Sequence, residues 1–245
     1  MPHNEFKLRQ RLLHRIGRRY RVVSETVEMG HLRFPFTRIA DPDRVLDQVA
    51  AEADLRDRLH GSAAPGDELH LPYWAELWES ARGIGAYLAD GGMEVYRDVG
   101  DTRPIVLDLG CGMGLSGTIA AALGATVVFA DLEPPALLFA RLNSLPWRNR
   151  VRTRRLNWQR DKLDQRFNLI LGADILYERA QWPFLDAFWR EHLAPKGRIL
   201  LGEPGRQTGE MFVEWITAKG WRLITSEVPV ASRPKPIRIF ELRGE

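Results

Sequence analysis

Between Val106 and Gly114 the chain reads VLDLGCGMG, an apolar run that meets an acid at Asp108 and then glycines at 110, 112 and 114. Such a run reads as a strand entering a tight turn, with a helix opening at Leu115. Glycines let the backbone turn sharply and approach a ligand without Cβ clashes. The helix amides that follow favour a carboxylate or a phosphate. Gly112, Gly114 and Gly117 also spell G-x-G-x-x-G, the dinucleotide pattern, which is weak on its own. Two acids argue against a dinucleotide. Asp108 precedes the glycines, where it would repel a pyrophosphate but could hold an ammonium. Asp131, closing the run TVVFAD, follows Gly117 too closely for the usual ribose-binding acid, which lies about 20 residues on. S-adenosylmethionine carries an amino group, a carboxylate, a sulfonium and a ribose diol, and no phosphate. Asp108 and the loop amides suit its methionine end, and Asp131 suits the ribose hydroxyls as a two-oxygen acceptor. The expected cofactor lining is Asp108, Gly110, Cys111, Gly112, Gly114, Asp131 and Leu132. Cys111 reads as a small turn residue rather than a nucleophile, since no base is placed beside it in sequence.

The elements that must carry this loop alternate in type. Strands are expected near 105–107, 126–130, 151–156, 168–171 and 198–201, and helices near 77–89, 115–123, 134–142, 181–193 and 208–219. Two further strands near 221–227 and 236–242 have no helix between them and read as an antiparallel hairpin. Alternating strand and helix implies a parallel sheet covered on both faces. The expected fold is α/β, a doubly wound and mostly parallel seven-stranded sheet of the Rossmann-like methyltransferase type. Ahead of it, GSAAPGD (61–67) reads as a loop. Asp41-Pro42-Asp43 reads as a helix start, with Asp as N-cap and Pro at the first helical position, opening a helix over about 42–59. The expected division is a basic, helical N-terminal extension over 1–66 and a methyltransferase domain over 67–245.

Four segments make the chain resemble a known family: LPYWAELW (71–78), VLDLGCGMGLSG (106–117), GADILYE (172–178) and LGEPGR (201–206). It resembles the seven-strand methyltransferases that modify protein lysines, nearest the branch acting on the beta subunit of electron transfer flavoprotein and its bacterial relatives. The resemblance runs from about Leu71 to Trp221. It implies that Trp78 borders the cofactor, that Trp158 packs on the adenine with Asn157 beside it, and that Ala173 completes the lining. An indole offers a flat apolar face to a purine. Relatives often carry Asp where Asn157 stands. Asp174-Ile-Leu-Tyr177 matches the family's D-x-x-Y motif after the fourth strand, where ligands bind in open parallel sheets. Methyl transfer to an amine needs a neutral lysine aligned with the sulfonium. Asp174 is expected to orient the amine, and Tyr177 to line the lysine channel. Desolvation lowers a lysine's pKa, so no strong base is required. Glu203-Pro204-Gly205-Arg206 resembles a G-D-P-G-R segment and is expected near the acceptor mouth.

Composition narrows the remaining classes. Of 245 residues, 44% are hydrophobic and 27% charged, ordinary for a protein with a real core. No run approaches the roughly 20 apolar residues of a membrane span. One cysteine excludes an internal disulfide and a cysteine-based zinc site, and the six histidines lack metal-ligand spacing, so no metal is expected. The net charge is only +3, yet Lys7, Arg9, Arg11, Arg15, Arg18, Arg19 and Arg21 crowd one end, and Arg148, Arg150, Arg152, Arg154 and Arg155 form a second group. These read first as solvated faces. The first 22 residues are Arg-rich like an organellar presequence but hold no serine, and no apolar leader core is present. A cytoplasmic location is expected, with the mitochondrial matrix as the alternative. The expected partner is a protein bearing the acceptor lysine. A small-molecule amine is the second reading, because one fold serves many acceptors. A nucleic-acid acceptor is disfavoured, since Asp174-Ile-Leu-Tyr177 stands where base-amine enzymes carry Asn-Pro-Pro-Tyr.

Overall fold

The structure, a computed structural model, describes residues 3–60, 71–93 and 103–244. The expected 61–67 loop lies outside these residues, as does the boundary drawn at 66. In chain order the elements are α1 (His3–Gly17), β1 (Val22–Met29), β2 (Leu32–Ile39), α2 (Pro42–His60), α3 (Glu79–Tyr87), β3 (Ile105–Leu109), α4 (Leu115–Ala122), β4 (Thr126–Asp131), α5 (Pro134–Asn143), β5 (Val151–Arg155), β6 (Phe167–Ala173), α6 (Trp182–His192), β7 (Leu193–Glu203), α7 (Gln207–Ala218), β8 (Arg222–Val228) and β9 (Ile237–Arg243).

The main sheet has seven strands in the order β5-β4-β3-β6-β7-β9-β8. β5, β4, β3, β6 and β7 run parallel, and β9 pairs antiparallel with both β7 and β8. The expected sheet and its terminal hairpin are therefore both present. β7 begins earlier than the apolar run Arg198 to Leu201 suggests, because Leu193 already pairs with Phe167 before a register shift. From β3 the chain moves outward to β4 and β5, then returns to lay β6 on the other side of β3. This reversal opens a crevice beyond the carboxyl ends of β3 and β6, where open α/β sheets bind ligands. The glycine loop follows β3 and the D-x-x-Y segment follows β6, so the topology alone brings them together.

Two apolar layers hold the sheet. Phe129, Phe139, Ile119 and Ile84 fill one face beneath α3, α4 and α5, and Trp182, Trp189, Phe212 and Ile216 fill the other beneath α6 and α7. His192 belongs to the second layer. Its Nδ1 meets the Phe188 carbonyl at 2.8 Å and its Nε2 accepts the Leu163 N–H at 2.9 Å, which makes it a satisfied core histidine. No helix among the described residues is long and apolar enough to cross a membrane.

The N-terminal region is not only helical. Residues Val22–Met29 and Leu32–Ile39 form an antiparallel hairpin turning at Gly30. β1 is mostly exposed, whereas β2 buries Phe34, Phe36, Thr37 and Ile39; Leu32, Phe34 and Phe36 do alternate, but Pro35 among them argues against a strand. Asp41 does cap α2, accepting the Arg44 N–H at 3.1 Å. The hairpin is fastened to the domain by Asn143. This buried amide accepts the Thr37 N–H at 2.8 Å and donates to the carbonyls of Thr37 (2.9 Å) and Met113 (3.0 Å). Met113 lies in the glycine loop, so one side chain ties hairpin to loop. Asn143→Ala leaves three buried backbone groups unpaired and is expected to destabilise the fold by about 2–4 kcal/mol in urea unfolding. A loss below about 0.5 kcal/mol would mean that the clamp is not formed.

Candidate active site

The three glycines named from sequence all take positive φ: 64° at Gly110, 51° at Gly112 and 83° at Gly114. Gly114 is the most constrained. A Cβ there would meet the Ala140 Cβ at 2.8 Å and its Cα at 2.9 Å. Gly110 faces the crevice, where a Cβ would lie 3.0 Å from Ile175 and 3.5 Å from the Trp158 ring. The loop backbone is thus bare on the side that Trp158 covers.

Two carboxyl groups underlie the loop. Asp108 is 1% exposed, and its Oδ2 accepts the Gly117 N–H at 2.9 Å, tying the strand end to the first turn of α4. Asp131 is 8% exposed. Its Oδ2 accepts the Gly112 N–H at 2.8 Å and its Oδ1 the Glu133 N–H at 2.9 Å. Burial pushes Asp108 up to about 7 and Asp131 up to about 6, and the Asp131 charge adds to the rise at Asp108. Burial likewise holds the Cys111 thiol well above its usual range, so it has no thiolate character. Leu132 and Ala173 are half-buried beside Asp131 and Asp174.

Trp158 forms the far wall. Its indole N–H donates to Gln181 Oε1 at 3.0 Å, and Gln159 donates to the same oxygen at 2.9 Å. Asn157 shapes the turn beneath it: its Oδ1 accepts the Gln159 N–H at 2.9 Å, and its own N–H reaches Asp161 at 2.8 Å. Its side-chain carbonyl is therefore engaged by the chain.

Across the crevice a second group assembles from three segments. Asp174 sits just past β6 with φ 57°, a left-handed conformation that only Asn and Asp among non-glycine residues adopt with any ease. Its N–H is fixed to the Gly202 carbonyl at 3.0 Å. Oδ1 pairs with Arg206 Nη2 at 3.0 Å, and Oδ2 accepts the Ser80 hydroxyl at 3.4 Å. Burial raises the Asp174 pKa, and the Arg206 charge opposes that rise. Tyr177 lies in the loop before α6, half-exposed, with its phenol pushed further up by burial. Tyr73 stands edge-on to Tyr177 at 5.7 Å and to Trp78 at 6.4 Å. Trp78 donates its indole N–H to the Tyr73 carbonyl at 2.9 Å, and the Arg206 guanidinium lies 5.6 Å over its ring. Trp78 therefore belongs to the Asp174 side of the crevice. Trp74, four residues earlier, is buried against Tyr20 and Phe139, and its backbone lies beside Gly112.

Tyr73, Ser80 and Gln181 were not singled out from sequence. Tyr73 lies inside the LPYWAELW segment and Ser80 two residues beyond it, but only the fold shows which of them turn towards Asp174. Two concavities, of about 880 and 740 Å³, lie elsewhere. One is between α3, the hairpin tip and the β8–β9 connection. The other runs along β5, lined by Arg152, Arg154 and Arg155 of the basic group and by Arg160 beyond it.

The chain is similar to known proteins. Over 149 residues the chain is 33% identical to protein N-lysine methyltransferase METTL21A of Xenopus tropicalis, covering 58% of this chain and 65% of that one. It is 32% identical over 141 residues to the electron transfer flavoprotein beta subunit lysine methyltransferase of Danio rerio, covering 55% and 51%. The chain thus spans about half to two thirds of the length of these relatives. A crystal structure of the glycopeptide N-methyltransferase MtfA complexed with S-adenosyl-L-methionine superposes with a TM-score of 0.53 at 20% identity, over 66% of this chain and 94% of that one, and shows the shared fold. A family described as lysine methyltransferase matches residues 73–218, from the aromatic segment to the end of α7. With that match across most of the sheet, the chain belongs to the lysine methyltransferase family.

Proposed function

We propose that the protein is an S-adenosylmethionine-dependent methyltransferase that N-methylates a lysine side chain of a protein substrate. One observation carries the reading: a bare glycine loop with two buried carboxyls faces an aromatic-lined carboxylate across one crevice, with Ile175 packed between them. The carboxyls fit a cationic, phosphate-free ligand. Burial raises both pKa values, so a cation beside them would recover the cost of ionising them, whereas a pyrophosphate would add to it. When bound, S-adenosylmethionine supplies an electrophilic methyl group on a sulfonium.

The chain's own residues supply the rest. Gly110, Gly112 and Gly114 leave room for close backbone approach, Asp131 offers acceptor oxygens to a diol, and Trp158 offers an apolar face. Opposite, Asp174 accepts a hydrogen bond from the incoming amine. Tyr73, Trp78 and Tyr177 strip water from the side chain that carries it. Desolvation favours the neutral amine, the form that has a lone pair to donate. The rim is open rather than sealed: Tyr73 is 42% and Tyr177 43% exposed. An open aromatic rim suits a side chain presented by a macromolecule better than a free metabolite, which a closed pocket would bury.

Calorimetric titration with S-adenosylmethionine, S-adenosylhomocysteine and NAD tests the cofactor half. Binding of the first two and not the third is expected. Binding of NAD alone would make the loop a dinucleotide site and end the proposal.

A further inference from the structure

We infer that Arg206 is a built-in stand-in for the substrate: its guanidinium occupies the seat of the acceptor ammonium, and the incoming lysine displaces it. The inference rests on the lysine-methylating reading and names how that site is guarded. Three observations support it. Arg206 makes the two contacts that a lysine ammonium would seek in this crevice. It pairs with the buried Asp174 carboxylate at 3.0 Å, and it lies over the Trp78 ring at 5.6 Å. Second, only the side chain needs to move. The Arg206 N–H donates to Glu203 Oε1 at 2.6 Å, and its carbonyl accepts from Arg238 at 3.2 Å. The backbone is pinned while the side chain remains 42% exposed, so departure is a rotamer change rather than a loop rearrangement. Third, the exchange keeps charge balanced. A buried carboxylate left without a cation is costly, and here one cation leaves as the lysine arrives protonated, giving up its proton to solvent only afterwards, before methyl transfer.

This arrangement would make the crevice selective. A ligand without a positive charge cannot replace Arg206 without stranding Asp174. An ammonium can, because its compact charge reaches the carboxylate while its alkyl stem lies along the aromatic rings.

The test uses n-butylammonium chloride as a probe of the seat at pH 8.5, with S-adenosylhomocysteine present. The Trp78 indole N–H is followed by NMR and assigned with Trp78→Phe. The groups facing Asp174 are Arg206, Ser80, Glu203 and Tyr177, and only Arg206 is altered. Arg206→Gln is expected to bind the probe at least tenfold more tightly than the parent protein. Arg206→Lys keeps a tethered cation and is expected to stay within about threefold of the parent. Equal affinity in all three proteins, or weaker binding to Arg206→Gln, would overturn the inference. Unchanged circular dichroism shows that the variants are folded. If the parent fails to bind S-adenosylhomocysteine, the methyltransferase reading fails instead, and the two failures are told apart.

Discussion

Asp174→Asn is expected to lower methyl transfer by about 10²–10³-fold while leaving S-adenosylmethionine affinity within about twofold, on the scale of removing one preorganised polar contact at a reacting centre. Asparagine is the informative replacement because the backbone at 174 has φ 57°, which Asn tolerates and Ala or Leu does not. The loop therefore keeps its shape, with the 174 N–H still on the Gly202 carbonyl. What is lost is the charge that pairs with Arg206 at 3.0 Å and would hold the acceptor nitrogen. Cofactor affinity is spared because the glycine loop, Asp108 and Asp131 lie on the opposite wall. Steady-state rates at saturating cofactor, with calorimetry alongside, separate the two effects. A parallel loss of cofactor affinity would move Asp174 to the cofactor wall. An unchanged rate would remove it from the chemistry.

The second large effect is on pH. Burial lifts Asp108 to about 7 and Asp131 to about 6, so both hold protons in the free protein at a pH where they would be ionised in water. A cationic ligand, or a diol donating hydrogen bonds, favours the ionised carboxylates. Binding below about pH 7 must therefore expel protons. The dissociation constant of S-adenosylmethionine is expected to rise by about 10–100-fold from pH 8 to pH 5.5, with close to one proton released near pH 6.5. Calorimetry in buffers of different ionisation heat reads the proton count directly. A pH-independent affinity would mean that neither carboxyl faces the ligand. For folding, the sign is opposite to that of a salt-bridged acid. A raised folded pKa favours the folded protein while the group is protonated. That contribution is present below about pH 4 and is lost as pH climbs through the 6–7 range. Cofactor should then protect against thermal unfolding more strongly at pH 8 than at pH 5.5.

The glycine-loop wall was legible in the sequence because its geometry is local. Three glycines with positive φ sit within five residues, and Asp131 ends the adjacent strand, so strand pairing suffices to bring it to the Gly112 N–H. Trp158 could be placed by position, but its anchor Gln181 lies 23 residues on and joins it only through the packing of α6. The opposite wall is assembled from segments near 73–80, 174–177 and 203–206, which the sheet order makes neighbours. Sequence could mark Asp174 and Tyr177 but not the Arg206 contact or the part of Tyr73. The resemblance pointed to Trp78, and the fold separates it from Trp74 four residues earlier: Trp74 is buried against Tyr20 and Phe139, and Trp78 lies under Arg206. The β1–β2 hairpin escaped for a related reason. β1 is mostly exposed and β2 carries Pro35 inside its apolar alternation, and what fixes the pair is the long-range clamp through Asn143.

The most direct measurement is to incubate the protein with S-adenosylmethionine carrying an isotopically labelled methyl group in a cell extract, then to locate the label by mass spectrometry of the digested proteins. The expected result is label on lysine Nζ of a protein, abolished by Asp174→Asn. Label confined to small molecules or to nucleic acid, with none on lysine, would contradict it.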